Sequence, residues 1–300
     1  MKGYQFEDTQ GTFHLKKAEN ISYLYFPIAG EAGLKSSLTP NLGGDAKIDQ
    51  NTFLLEPVSA ENLVNNRNSR NFWCNVKGIG SWSLTGNAAE ALSKKFTEMQ
   101  DDSEVTAGFM WQKTTRESKK YQLRGEILSF IPVEKNVEVM LVTITNTGRM
   151  AQTVTPTAAI PLYGRSADNI RDHRHVTSLL HRIETTDTGV LVTPTLSFDE
   201  RGHQVNHMTY YCVGWSGNGE KPVDFYPTAE DFVGEGGNFE RPYAIVKNAE
   251  GVKAGTRIEG LEAVGGLHFS EVTLGPEEEC SYLIFTGITE DIHEIRNLSK

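Results

Sequence analysis

The chain has 300 residues, of which 38% are hydrophobic and 23% charged, and its formal net charge is -10. Such a length buries a substantial core in one large domain or two small ones, and the composition is that of an ordinary globular protein. The negative balance excludes a broad phosphate-neutralising surface for nucleic acid, and no run of about 18 apolar residues offers a transmembrane helix.

Met1 to Phe13 carries one lysine with no apolar stretch behind it, so no secretory signal is expected. Cys74, Cys212 and Cys280 are odd in number, far apart and outside any CxxC pair. Reduced thiols in a cytoplasmic protein, with no thiolate metal site, are the simplest account. Asn20-Ile21-Ser22 fits a glycosylation triplet, which carries no weight without a secretion signal.

In chain order, the periodicity points mostly to strands. Ile21 to Ile28 is rich in β-branched and aromatic residues. Asn87 to about Gln100 is the one internal helix expected: Asn87 caps it, and Ala88, Ala91, Leu92, Phe96 and Met99 fall on one face. Tyr121 to Ile131 returns to strand. Val137 to Thr145 is apolar on both alternating faces, as expected of a strand covered on both sides. After a turn at Asn146-Thr147-Gly148, Val154 to Leu162 forms the next strand, and Pro156 and Pro161 place it near an edge or at bends. Gly189 to Phe198, Met208 to Trp215, Leu261 to Phe269 and Cys280 to Phe285 follow. Many short strands with 28 glycines predict an all-β, large antiparallel sandwich. Beyond it, Ile292, Ile295 and Leu298 repeat at helical spacing after Thr289, a candidate cap. This predicts a sandwich domain over 1–286, with 287–300 opening a helical linker to a further domain.

One stretch stands out chemically. Leu162 to Ile183 holds Arg165, Arg171, Arg174 and Arg182 with His173, His175 and His181, a cationic island in an acidic protein. It suits a small anion or a polar ligand. His173 and His175 could share one face of an extended segment, but no third ligand is spaced to join them, so a loop-ordering role is favoured over metal. Asp168 and Asp172 invite a two-carboxylate glycosidase reading. Carboxylates among guanidiniums stay ionised, however, and suit ion pairing or sugar hydrogen bonding better than acid catalysis. Trp73, Trp82, Trp111 and Trp215 could stack on sugar rings, although core packing is the commoner fate of tryptophan. Trp82, flanked by Gly78 and Gly80, is the best surface candidate. Asp231 to Gly237 reads as a strand end and a glycine-rich turn. P-loop, GxGxxG, HExxH and GxSxG motifs are all lacking.

Four segments, taken in order, resemble the N-terminal region of the inverting β-glucoside phosphorylases of glycoside hydrolase family 94. They are Asn68-Ser69-Arg70-Asn71-Phe72-Trp73, Gly80-Ser81-Trp82-Ser83-Leu84-Thr85-Gly86, Tyr163 to Arg182, and Asp231-Phe232-Val233-Gly234. Within the family the third segment is most similar to laminaribiose phosphorylases, with cellobiose or cellodextrin phosphorylase as the other possibility. The resemblance implies a β-super-sandwich of the galactose mutarotase-like kind, followed by helical linkers, an (α/α)6 barrel carrying the general acid, and a jelly roll. It implies reversible phosphorolysis of a β-glucoside to α-glucose 1-phosphate and glucose, with inorganic phosphate as co-substrate and no metal or organic cofactor. That chemistry is coherent, because phosphate is already an anionic nucleophile and one protonated carboxyl group suffices for the leaving oxygen.

The resemblance further implies a homodimer in which a loop of this domain shapes the partner's acceptor subsite, and the segment after Leu162 is the candidate. Tyr163, Arg165 and Asp168 are the expected sugar contacts, with Arg171 and His173 beside them. No catalytic residue is expected in this chain. Competing readings are a stand-alone carbohydrate-binding or scaffold sandwich, and a hydrolase using Asp168 and Asp172.

Overall fold

The computed structural model describes residues 4–21, 24–59, 67–199 and 202–298. They form an all-β super-sandwich built on an eleven-stranded antiparallel sheet. From one edge to the other its strands are Tyr4–Phe6, Phe13–Lys16, Asp102–Gly108, Trp111–Ser118, Leu123–Phe130, Val137–Asn146, Glu279–Thr289, Thr209–Ser216, Gly189–Val192, Arg182–Thr185 and Arg257–Glu259. The last strand of the chain therefore lies in mid-sheet, between Val137–Asn146 and Thr209–Ser216.

A smaller sheet faces it, in the order Asp224–Thr228, Ala263–His268, Gln152–Leu162, Asn71–Val76 and Gly80–Ser83, with Val272–Leu274 paired to the start of Gln152–Leu162. A four-stranded sheet over 26–55 and the hairpin Leu196–Asp199/Gly202–Val205 complete the strands. The main core lies between the large sheet and the two smaller ones and joins residues such as Leu54, Phe72, Val142, Ile160 and Tyr282. The smaller sheet is covered on its outer side too. There Trp73, Ala159, Tyr226 and Val264 meet Phe232, Phe239, Ala244 and Ile245.

A buried ion pair fastens these layers. Arg70 Nε donates to Glu138 Oε1 at 2.7 Å and Nη2 to Oε2 at 2.9 Å, while Nη1 donates to the Gly44 carbonyl at 2.7 Å. Ser36 Oγ adds a 2.6 Å hydrogen bond to Glu138. One guanidinium thus ties the smaller sheet, the large sheet and the four-stranded sheet together, and its planar fork suits the bidentate geometry.

Several sequence expectations are corrected. Five short α-helices occur among the described residues: Ala89–Ser93, Arg174–Ser178, Ala229–Val233, Tyr243–Lys247 and Ile292–Arg296. Four of them are internal, against the one expected. The helix over 87–100 shrinks to Ala89–Ser93, because Phe96 adopts φ 67, a left-handed conformation that breaks the repeat. Phe96 is then 80% exposed and Met99 67% exposed. Asp231–Val233 lies in a helix capped by Thr228 rather than in a turn. In 21–28 only the strand Phe26–Ala29 is seen, and residues 22 and 23 lie outside the described set.

The proline-bearing strand is central rather than at an edge. Pro156 falls in the gap between Val272–Leu274, which pairs with 152–154, and Ala263–His268, which pairs from Thr157 onward. Its carbonyl accepts from Phe269 N across that gap, so its ring nitrogen faces a place where no ladder hydrogen bond is required. Pro161 lies two residues beyond Ala159, the last to pair with Asn71–Val76.

Trp82 is buried, with Nε1 donating to Asp101 Oδ2 at 2.8 Å, so its ring is not a sugar platform. The final strand runs on to Thr289, three residues past the expected boundary. Asp291, not Thr289, caps the last helix, which sets Ile295 and Leu298 against Val137, Leu191, Tyr211 and Val213 on the outer side of the large sheet.

Candidate functional site

The strand Gln152–Leu162 delivers Tyr163 and Arg165 to a crevice at the end of the smaller sheet. Their backbone is held by the strand Thr52–Leu55. Tyr163 N donates to Leu54 O at 2.8 Å, Gly164 N to Phe53 O at 3.1 Å, and Phe53 N to Arg165 O at 3.0 Å. Gly164 sits at φ 61, and a Cβ there would lie 3.3 Å from the Pro194 ring, so glycine suits the bend on both counts. The Arg165 guanidinium lies 5.1 Å from the centre of the Tyr163 ring, a cation–π contact. Tyr163 and Arg165 are each only 6% exposed.

Four more charged side chains complete the crevice: Glu56, Arg67, Arg174 and Glu262. Arg174 is pinned between carboxylates, with Nη2 donating to Glu56 Oε2 and Nη1 to Glu262 Oε1 at 2.8 Å. Arg67 approaches Glu262 at 3.9 Å and stacks over Phe239 at 5.7 Å. The enclosed volume is about 20 Å³, room for one water-sized group, within about 340 Å³ when the open mouth is included.

Burial raises the Tyr163 pKa, so the phenol stays protonated, and burial lowers the Arg165 pKa from the ordinary arginine value. Burial would also lower that of Arg174, but its hydrogen bonds to Glu56 and Glu262 raise it instead. Behind the crevice His181 is fully buried, with Nδ1 3.2 Å from the Leu261 carbonyl. Burial, reinforced by the Arg165 charge, pushes its pKa down to about 3, so it is neutral at pH 7.

The expected site residues separate into two groups. Tyr163 and Arg165 lie together in the crevice. Asp168 is exposed on the 3-10 turn Ala167–Arg171, and His173 is exposed as the N-cap residue of Arg174–Ser178. Arg171 ends that turn, and its side chain lies outside the described set. The His173 and His175 rings face each other at 5.3 Å on a helix start, not on an extended segment. Among the described residues no group of three metal-ligating side chains assembles.

Asp172, exposed, accepts a 2.8 Å hydrogen bond from Asn169 Nδ2. Glu56, Arg67 and Glu262 were not singled out from sequence, and Arg174 stood only as one arginine of the island. Charge balance was the available signal, since a buried arginine cluster needs carboxylates from elsewhere in the chain.

The sandwich carries a narrow polar crevice at one sheet end, and residues 56–300 match the glycosyl hydrolase 94 supersandwich domain. The chain belongs to that family. Among solved structures it is similar to a bacterial glucoamylase complexed with acarbose, at 9% identity and TM-score 0.50, covering 99% of this chain and 34% of that one. A putative aldose 1-epimerase from Escherichia coli K12 is similar at 9% identity and TM-score 0.46, over 89% of this chain and 99% of that one. A galactose mutarotase-like protein from Clostridium acetobutylicum is similar at 9% identity and TM-score 0.38, over 96% and 98%. At such identities the likeness is one of fold alone. The chain thus spans about a third of the glucoamylase. No curated protein matches it.

Proposed function

We propose that this chain is the N-terminal sandwich of a longer inverting glycoside phosphorylase. It would serve an enzyme that converts a β-glucosidic disaccharide or short oligosaccharide, laminaribiose above all, and phosphate to α-glucose 1-phosphate and glucose. Membership of the glycosyl hydrolase 94 family over residues 56–300 carries the reading. In this account the sandwich runs through Thr289, and the chain beyond it leads through a helical linker to a barrel that holds the general acid. Inorganic phosphate is the only co-substrate, and no metal or organic cofactor takes part. The protein acts in the cytoplasm as a homodimer.

The acceptor sugar meets Tyr163 and Arg165 at the crevice mouth, with Asp168, Arg171 and His173 on the flanking turn, in the partner subunit's active site. Asp168 and His173 are exposed within ten residues of Arg165 in the chain, which supports this arrangement, since hydroxyl recognition needs polar side chains that a sugar can reach. The interior is too small for a pyranose ring, so only a protruding hydroxyl would enter.

The test is synthesis by the intact enzyme from α-glucose 1-phosphate and glucose, with product linkage read by NMR. Arg165→Ala should raise the KM for acceptor about tenfold, with a smaller change in KM for the donor. Sugar release in phosphate-free buffer, or an acceptor KM that does not move, would sink the assignment.

A further inference from the structure

Two buried hydrogen-bond donors in the crevice meet no acceptor among the described residues: the Tyr163 hydroxyl and Arg165 Nε. An arginine has donors and no lone pair, and a protonated phenol deep in a protein also seeks an acceptor. Both carboxylates of the crevice are engaged by Arg174. Arg165 itself, more than nine-tenths buried, makes no ion pair among the described residues: its guanidinium lies over the Tyr163 ring, and Glu56 and Glu262 act on its charge only from beyond ion-pair distance. A buried cation in that condition is costly, and what relieves it must bring both charge and lone pairs.

We propose that the crevice seats one small oxyanion, a carboxylate or phosphate group whose oxygens are received by Arg165 and the Tyr163 hydroxyl. Size supports this ligand class. The enclosed space of about 20 Å³ takes one oxygen, and the body of the group remains in the open mouth. Chemistry supports it as well. A sugar hydroxyl offers lone pairs but adds a proton that needs its own acceptor, and it leaves the guanidinium without a contacting anion. An anion answers both needs in one charge-assisted contact. Glu56 and Glu262 do not repel it outright, because Arg174 holds both and Arg67 lies beside Glu262.

The proposal goes beyond the acceptor-subsite reading and competes with it for one side chain, since an oxyanion in the crevice withdraws Arg165 from any hydroxyl at the mouth. The two also fail separately, because anion binding by this chain requires no barrel.

Two arms distinguish the source of the oxyanion. In the first, the 300-residue chain is titrated calorimetrically with inorganic phosphate at low ionic strength. One phosphate per chain is expected, weakened about 5–10-fold by Tyr163→Phe and at least tenfold by Arg165→Gln, with Lys77→Gln unchanged. In the second, sedimentation in phosphate-free buffer looks for a dimer that dissociates on Arg165→Gln or on adding phosphate. Such a dimer assigns the oxyanion to a carboxylate of a second copy. Tyr163→Phe keeps the ring, so it decides either arm if Arg165→Gln does not fold. Phosphate bound equally by all variants, or neither phosphate binding nor such a dimer, overturns the proposal.

Discussion

Glu138→Gln isolates the electrostatic bolt between the sheets. The substitution keeps shape and volume but removes the charge that faces Arg70, whose guanidinium is 1% exposed. The 2.7 and 2.9 Å hydrogen bonds lose their charge assistance, and one amide oxygen must replace two carboxylate oxygens toward both Arg70 and Ser36. Uncoupling a buried pair in this way costs about 3–5 kcal/mol, a large part of the roughly 5–15 kcal/mol that keeps a domain folded. At this chain length each kcal/mol moves the melting temperature by roughly 2 °C, so the variant should melt about 6–10 °C lower. Differential scanning calorimetry at pH 7 reads the shift directly.

The double variant Arg70→Met/Glu138→Leu supplies the control. It removes both charges and fills the space with apolar atoms, so it should lose less than the two single changes combined. A Glu138→Gln protein melting within about 2 °C of the parent, or a strictly additive double variant, would show that the pair does not hold the layers together.

Three further outcomes follow from the same contacts. His181 titrates near 3 when folded against 6.5 as its ordinary value, so the unfolded chain takes up the proton first as pH falls. Stability is therefore full above pH 6.5 and declines toward pH 3, by on the order of 4–5 kcal/mol, and His181→Asn should flatten that decline in urea midpoints at pH 7 and pH 4. Glu90 is held at about 2, because hydrogen bonds from Lys120, Lys94 and Tyr121 outweigh the upward push of burial. Its contribution is present above pH 4.5 and lost as pH falls toward 2. Being about a third exposed it amounts to about 1 kcal/mol at most, and Glu90→Gln should remove that acid-limb step from a calorimetric pH series. Cys74 and Cys212 are fully buried, and burial raises both thiol pKa values, that of Cys212 to about 12. A thiol reagent should label them only on unfolding, and native labelling at Cys212 within minutes would contradict the packing.

Local pattern was a good guide wherever burial follows sequence spacing. Val137 to Thr145 was expected as a strand covered on both sides; Val137–Asn146 is that strand, buried on the face of Met140, Val142 and Ile144, while the other face opens at Leu141, 38% exposed. The helix expected over 87–100 failed for a reason spacing cannot show. The Phe96 amide is satisfied by the Gln100 side chain, and the backbone turns left-handed, leaving the supposed apolar face outside. Pro156 misled in the opposite direction. A missing donor disqualifies a central strand only if a partner stands opposite, and here two partner strands meet end to end.

The crevice was legible in its cationic half, because Tyr163 and Arg165 lie two residues apart. Its anionic half comes from Glu56 and Glu262, 118 and 88 residues from Arg174, and only the assembled sheets bring them together.

The mid-sheet position of Glu279–Thr289 governs how this domain can form. Until that strand exists, Val137–Asn146 and Thr209–Ser216 are two raw edges with unmet hydrogen-bonding groups, each inviting the wrong neighbour. The strand that joins them pairs with residues about 140 positions earlier, so the ordering cost of a very long loop falls before the reward. A chain emerging from the ribosome thus carries two unfinished half-sheets until residues 279–289 have been made. Slow, late and all-or-none closure is the expectation, with premature stops before residue 279 giving aggregates rather than a smaller stable protein.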